Sequence, residues 1–493
     1  MPSPPDRDPL HIVMAASEAV PYAKTGGLAD VTGALPHELV KLGHRVTLIL
    51  PGYPGLLADA RACRTMAEFR IPVAGQHADV RIDEAVTPDT DSVRILAVRY
   101  DPYFDRPGLY QAAAGDYPDN LERFILFSRA VLETIEFLSR AHGERVEILH
   151  LHDWQTALCA VYLRSGEYPS LSHLKTLFTI HNIGYQGLFP GGEFAKIGLP
   201  PSLFTLSGLE FYGFVNLLKG GILFADAVST VSPTYAREIM TEEFGSGLEG
   251  VLASRADGIR GITNGIDVTR WNPAADQYLP APYSSADLTG KAVCKRALQR
   301  ELDVPVREVP LLALIGRLAW QKGFDLVTDI LPELMALDLQ VVVLGTGEHP
   351  LEQQFRDARA KYTGRIGVSI GFDEGLAHRI EAGADMVLMP SRYEPCGLTQ
   401  LYSLRYGTVP IVRRTGGLAD TVVPFKPTTV QAGHATGFHF HGSASETFLS
   451  TVLLALEIYK DQRAWRALML AGMRTDVSWT QSAKRYVELY RGM

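Results

Sequence analysis

At 493 residues the chain is too long for one compact core, so two domains, or three, are expected. Its 46% hydrophobic and 21% charged composition is that of a soluble globular protein, and a net charge of −8 offers no basic field to nucleic acid or an anionic membrane. Cys63, Cys159, Cys294 and Cys396 are scattered with no C-x-x-C spacing, which argues against a zinc site or disulfide framework and for a reducing cytoplasm.

Met1–Leu10 is rich in Pro and Asp and lacks the apolar core of a signal peptide. No apolar run reaches the roughly 20 residues that a membrane helix needs. His11–Ala16 reads as a first buried strand. A loop then leads into Lys24-Thr25-Gly26-Gly27-Leu28-Ala29-Asp30. From Leu28 to Leu42 the apolar positions fall on one helical face, before Gly43 and a second strand at Arg45–Leu50. This is a βαβ unit with a Gly loop at its first crossover, yet it matches neither G-x-G-x-x-G nor the Walker pattern. Lys24 stands where a cation reaches a diphosphate lying against the helix start. A solvated surface lysine is the alternative.

Residues 51–118 mix strand-like pieces, Arg70–Val73 and Val93–Val98, with Pro and Gly turns, and no role is read there. Asp119–Arg140 is an amphipathic helix. Val146–Leu151 and Lys175–Ile180 are buried strands ending in His152-Asp153-Trp154 and His181-Asn182-Ile183-Gly184. Two consecutive strands therefore deliver polar groups at their carboxyl tips, the edge at which open α/β sheets present chemistry. Tyr212–Phe224 reads as a helix, Ala227–Val231 as a strand, and Pro233–Met240 as a helix capped by Ser232. The domain junction falls near Gly261–Pro273.

Strand–helix alternation then resumes. Ala286–Leu302 is helical, Leu311–Ile315 a strand, and Arg317 and Lys322 share the loop that follows, where both can converge on one anionic group. Phe324–Leu337 reads as the crossover helix, and Gln340–Leu344 and Ile366–Ile370 as strands. Asp385–Pro390 is another strand and opens onto Ser391-Arg392-Tyr393-Glu394-Pro395-Cys396-Gly397, ahead of a helix from Leu398 to Tyr406. Backbone N–H groups at that helix start lack intrahelical partners and attract phosphate. Glu394 projects a carboxylate beside them, suited to sugar hydroxyls. After a strand at Pro410–Arg413, Thr415–Asp420 repeats Thr25–Asp30 letter for letter. Helices over Ser445–Tyr459, Arg463–Met473 and Trp479–Arg491 close the chain. His434, His439 and His441 lie near one another, but H-x-H in an extended segment reads as a surface pair, and no metal site is assigned.

Glu394-Pro395-Cys396-Gly397-Leu398-Thr399-Gln400, taken with the two Thr-Gly-Gly-Leu-Ala-Asp loops, resembles the bacterial glycogen synthases and plant starch synthases, and the likeness runs through most of the chain. The resemblance implies an α/β GT-B architecture, in which two Rossmann-like, doubly wound domains face a cleft. Residues 1–265 form the acceptor side with the Lys24 loop, 266–474 bind the nucleotide sugar, and 475–493 are a helix returning to the N-terminal domain. It implies a cytoplasmic, retaining glucosyltransferase that moves glucose from ADP-glucose to the non-reducing 4-hydroxyl of an α-1,4-glucan, with no cofactor, no metal and no obligate protein partner. Glu394, His181 and Asp153 are expected to be the catalytic residues, with the two carboxylates and the His181 carbonyl holding the glucosyl ring and balancing its positive charge. Lys24, Gly26, Gly27, Asn182, Arg317, Lys322, Cys396, Gly397, Leu398 and Thr399 are expected to bind substrate. Many retaining transferases of this architecture carry a second Glu eight positions after the first, where this chain has Tyr402, so the ribose contact is left open. The rival readings are a UDP-sugar transferase of the same fold and an inactive glucan-binding relative. The presence of Lys24, His181, Arg317, Lys322 and Glu394 argues against the second.

Overall fold

The computed structural model describes residues 8–59, 62–86, 93–112 and 115–493. Met1–Arg7, part of the segment expected to lack a signal peptide, lies outside them. The chain divides into two compact units. Met1–Val231, Ala236–Ile262 and Trp479–Met493 make up the first, and Ser232–Tyr235 with Thr263–Ser478 the second. No helix among the described residues is long and apolar enough to cross a membrane.

The first unit is built on a nine-stranded sheet. Its strands, in chain order, are β1 (His11–Ala15), β2 (Arg45–Pro51), β3 (Ala62–Val73), β4 (Gln76–Val86) and β5 (Arg94–Arg99). A short ribbon follows, β6 (Gln111–Ala112) with β7 (Gly115–Asp116), and then β8 (Ile148–His152) and β9 (Lys175–Ile180). A three-stranded sheet of β10 (Leu188–Pro190), β11 (Glu210–Phe211) and β12 (Phe214–Asn216) precedes β13 (Ala227–Thr230) and β14 (Arg260–Gly261). The large sheet runs β14-β13-β9-β8-β1-β2-β5-β4-β3, and every pair from β14 to β5 is parallel. β1 and β8 are buried throughout, and β9 beyond Lys175, because helices cover both faces of such a sheet. Strand order reverses between β1 and β8, which places their carboxyl tips at a topological switch point. The helix Trp479–Gly492 buries Trp479, Ala483, Tyr486 and Tyr490 in this unit's core, beside Val31, Leu35 and Leu39 of the helix Gly27–Lys41.

The second unit carries six parallel strands: β15 (Leu311–Ile315), β16 (Gln340–Gly345), β17 (Ile366–Ile370), β18 (Met386–Met389), β19 (Val409–Arg413) and β20 (Phe438–Phe440). Their order, β17-β16-β15-β18-β19-β20, is that of a doubly wound dinucleotide-binding fold, with its switch point between β15 and β18. Leu312, Leu314, Val341, Val343, Met386 and Leu388 form the centre of its core.

Two expected elements differ. Tyr212–Phe224 is not one helix. Residues 210–216 form the β11–β12 hairpin, and the helix is Leu217–Phe224. Tyr212 and Gly213 sit at φ 49° and 84°, as a two-residue hairpin turn of the primed type requires, so the turn overrides the helical spacing. Phe324–Leu337 is two short helices, Phe324–Asp329 and Leu331–Met335, broken at Ile330 just ahead of Pro332, which has no N–H to continue the ladder. All four cysteines are free, with Cys63 exposed on β3 and Cys159, Cys294 and Cys396 buried.

Candidate active site

Each unit gathers polar groups at its own switch point. In the second, Gly316 and Arg317 leave β15, and a turn of 3-10 helix, Trp320–Lys322, brings Lys322 to the tip of β18. Gly323, at φ 66°, packs so tightly there that a Cβ would lie 2.1 Å from the Pro390 carbonyl oxygen. Lys322 Nζ donates to Glu394 Oε2 at 2.6 Å, and Ser391 Oγ donates to the same oxygen at 3.0 Å. Glu394 is 4% exposed, so its charge is held by those two partners in a poorly hydrated place. Arg317 Nη2 donates to Gln321 Oε1 at 3.2 Å. Lys322 and Arg317, expected to converge on one anion, thus stand in one loop with separate partners.

The Glu394 loop rests on the second Thr-Gly-Gly-Leu-Ala-Asp copy. A Cβ on Gly416 would lie 1.9 Å from the Glu394 carbonyl oxygen, and one on Gly417 would lie 2.0 Å from that of Cys396. Gly417 N donates to the Glu394 carbonyl at 3.0 Å. Gln400 Nε2 donates back to the carbonyls of Cys396 and Gly397, and Gly397 takes φ 73°. The helix Thr399–Tyr406 begins behind Leu398 without a side-chain cap. Cys396 is packing rather than chemistry, since burial pushes its thiol up to about 12. Asp420 accepts from Ser232 Oγ (2.8 Å), Thr234 N (2.9 Å) and Thr234 Oγ1 (2.6 Å). Tyr402 stacks on Trp271 at 3.7 Å between ring centres, and Trp271 stacks in turn on His378 at 3.7 Å.

In the first unit the tips of β1, β8 and β9 supply the groups. Asp153 holds φ 56° and ψ −177°, a combination that a residue with a Cβ rarely adopts. The strain lets its Oδ1 accept the backbone N–H of His181 at 2.7 Å. Burial pushes the Asp153 carboxyl up to about 8, against the backbone donors that pull it down. It therefore does not stand as the free charge expected of it; it ties one strand tip to the next. His181 is buried, its pKa lowered to about 3 by desolvation, so the ring is neutral. Asn182 Oδ1 accepts from Gly184 N at 3.0 Å and shapes the turn.

Lys24 Nζ pairs with Asp30 at 2.7 Å and is 39% exposed, a weak contact that a ligand can replace. A Cβ at Gly26 or Gly27 would meet no atom within 4 Å. Three residues that sequence reasoning missed complete the cluster. Glu18, 3% exposed at the tip of β1, accepts from Thr25 N (2.6 Å), Thr25 Oγ1 (2.7 Å), Gly26 N (3.3 Å) and the Tyr110 hydroxyl (2.6 Å), so it clamps the Gly loop. Tyr110 comes from the stretch to which no role was given. His152 meets His181, Nδ1 to Nε2, at 2.9 Å. A carboxylate directly after the first strand was the available signal for Glu18. Among the described residues no group of three or more His, Cys, Asp or Glu is placed to hold a metal ion.

Residues 11–254 match the family model described as the starch synthase catalytic domain, and residues 299–467 that of glycosyl transferases group 1. A glycogen synthase of Anaeromyxobacter sp. is 48% identical over 98% of this chain and 99% of its own, and one of Koribacter versatilis is 47% identical over 98% of each. Among solved structures, the catalytic domain of starch synthase IV from Arabidopsis thaliana, bound to ADP and acarbose, superposes with a TM-score of 0.89 at 34% identity, covering 98% of this chain and 99% of that one. A sucrose-phosphate synthase from Thermosynechococcus elongatus shares the fold alone, with a TM-score of 0.60 at 16% identity over 98% of both chains.

Proposed function

Because the chain belongs to the glycogen and starch synthase family of two-domain GT-B enzymes and carries out glycosyl transfer in glycogen synthesis, we propose that its donor is ADP-glucose. Glucose then passes to the non-reducing 4-hydroxyl of an α-1,4-glucan with retention of configuration. The observation that carries this reading is the Lys322–Glu394 pair at the β15/β18 switch point, the edge where this fold class takes a nucleotide. ADP in the starch synthase IV complex supports the choice of nucleotide.

The charges fit the chemistry. As the glycosidic bond breaks, negative charge grows on the departing diphosphate and positive character on the anomeric carbon. Arg317, Lys322 and the N–H groups at the start of the helix Thr399–Tyr406 take up the former, and Lys24 and the Gly26-Gly27 loop offer further substrate contacts. Fixed donors act most strongly where water is excluded. Glu394, with the N–H groups of Cys396 and Gly397, grips the glucosyl hydroxyls and balances the positive character. His181 presents a neutral ring to the sugar, and Asp153 positions the His181 backbone. The acceptor hydroxyl enters on the face the diphosphate leaves, with no enzyme-bound glucosyl intermediate.

Turnover with glycogen should be much faster from ADP-glucose than from UDP-glucose, and should persist in EDTA. Equal or reversed donor preference would favour the UDP-sugar reading. Loss of activity in EDTA with recovery in Mg²⁺ would overturn the cation-and-dipole account.

A further inference from the structure

We infer that His152 is a positioning residue that decides which ring nitrogen of His181 carries the proton. His152 ends β8, and His181 follows β9, the strand paired beside it. His152 Nδ1 and His181 Nε2 lie 2.9 Å apart, and the two rings are 0% and 8% exposed. Between two neutral imidazoles at that distance one nitrogen donates and the other accepts, which leaves two arrangements.

The far nitrogen of His152 decides between them. His152 Nε2 is buried and has no hydrogen-bond partner among the described residues. If His181 donated, His152 would carry its proton on Nε2, as a buried N–H without an acceptor. If His152 donates from Nδ1, Nε2 is left as a buried lone pair. Orphaned buried donors are rarer than under-used acceptors, so the second arrangement is favoured. His150 does not offer a way out. Its Nδ1 is engaged by the Tyr490 hydroxyl at 2.8 Å and its Nε2 by Thr179 Oγ1 at 2.7 Å, and it faces His152 ring to ring at 4.0 Å.

His181 therefore accepts at Nε2 and keeps its proton on Nδ1. It offers a neutral N–H to its ligand. A neutral donor suits the lone pair of a sugar hydroxyl, and leaves that hydroxyl's own proton to bond a carboxylate. The sugar in this statement rests on the function proposed above; the tautomer does not.

The test is nitrogen-15 NMR of the full-length, histidine-labelled protein near neutral pH, with His181 signals assigned by loss in His181→Asn. His181 should be protonated at Nδ1, and an Nε2-protonated ring would overturn the inference. In His152→Asn the amide N–H replaces the Nδ1 donor, so the tautomer should persist. His152→Leu removes the donor, so His181 should populate both tautomers. KM for the nucleotide sugar should then rise on the order of tenfold while ADP, which lacks the transferred glucosyl group, binds as before. Equal loss of ADP affinity would make His152 a structural residue only. Should His152→Leu not fold, the wild-type and His152→Asn spectra still decide. A protein that turned over no nucleotide sugar would sink the proposed function and leave the spectrum to judge the tautomer.

Discussion

The 2.6 Å contact between Lys322 and Glu394 joins two groups that the proposed chemistry uses for opposite charges. Lys322→Ala should raise KM for the donor and lower kcat, because a phosphate contact exists in the ground state and strengthens as the diphosphate departs. Glu394→Gln keeps the shape and loses the charge, so kcat should fall by about 10²–10³ with little change in donor KM. If Glu394→Gln kept most of its kcat, the carboxylate would serve only as a hydroxyl grip. A second residue-scale expectation concerns acid. Burial depresses the pKa values of His150, His152 and His181, so below about 6.5 the unfolded chain takes up protons that the folded chain refuses. Stability should therefore fall as pH drops from 6.5 towards 3, and activity should fall with the thermal midpoint. A reversible loss of rate near pH 6.5 with Tm unchanged would mean that His181 titrates freely. Glu394, Lys322, Asp153 and His181 could be picked out in the sequence because strand tips announce themselves. Glu18 carried one signal, a carboxylate directly after the first strand, whereas the ring contact of His152 with His181 exists only once β8 and β9 pair.

At the scale of elements, the repeated hexapeptide separates local sequence from tertiary demand. Gly416 and Gly417 lie against the Glu394 and Cys396 carbonyls, and Gly416 adds φ 42°, so Gly417→Ala must push the Glu394 loop away. We expect a destabilised second unit and a loss of kcat at least as large as that of Glu394→Gln. Gly26→Ala and Gly27→Ala meet no protein atom, so they should leave the unfolding free energy within about 0.4–1 kcal/mol of wild type, the Gly-to-Ala backbone term, and impair only substrate binding. Equal thermal stability in both pairs would contradict this contrast. The same comparison shows why some elements were legible and others were not. Parallel strands such as β16 and β18 read as apolar runs because both faces are covered. The long β3–β4 ribbon, largely exposed along β3, has no such signature beyond Arg70–Val73. The β11–β12 hairpin was hidden because its strands are only two and three residues long, too short to show alternation, and the left-handed Tyr212-Gly213 pair decides the matter.

At the scale of the molecule, the proposed donor contacts divide between the units, with Lys24 and His181 in one and Arg317, Lys322 and Glu394 in the other. The chain leaves the first unit after Ile262 and returns at Trp479, and within the second unit Ile266 N donates to the Val477 carbonyl at 2.8 Å, which ties the two connecting segments together. The distribution of cysteines turns the same division into a clock. Cys63 is exposed, Cys159 is buried in the first unit, and Cys294 and Cys396 are buried in the second. A maleimide pulse should modify Cys63 at once and then read each core through its own thiol, because a buried sulfur reacts only when its surroundings open. Separate lifetimes for Cys159 and for the Cys294/Cys396 pair would time the two halves of the enzyme as independent unfolding units, and one shared lifetime would make them a single one.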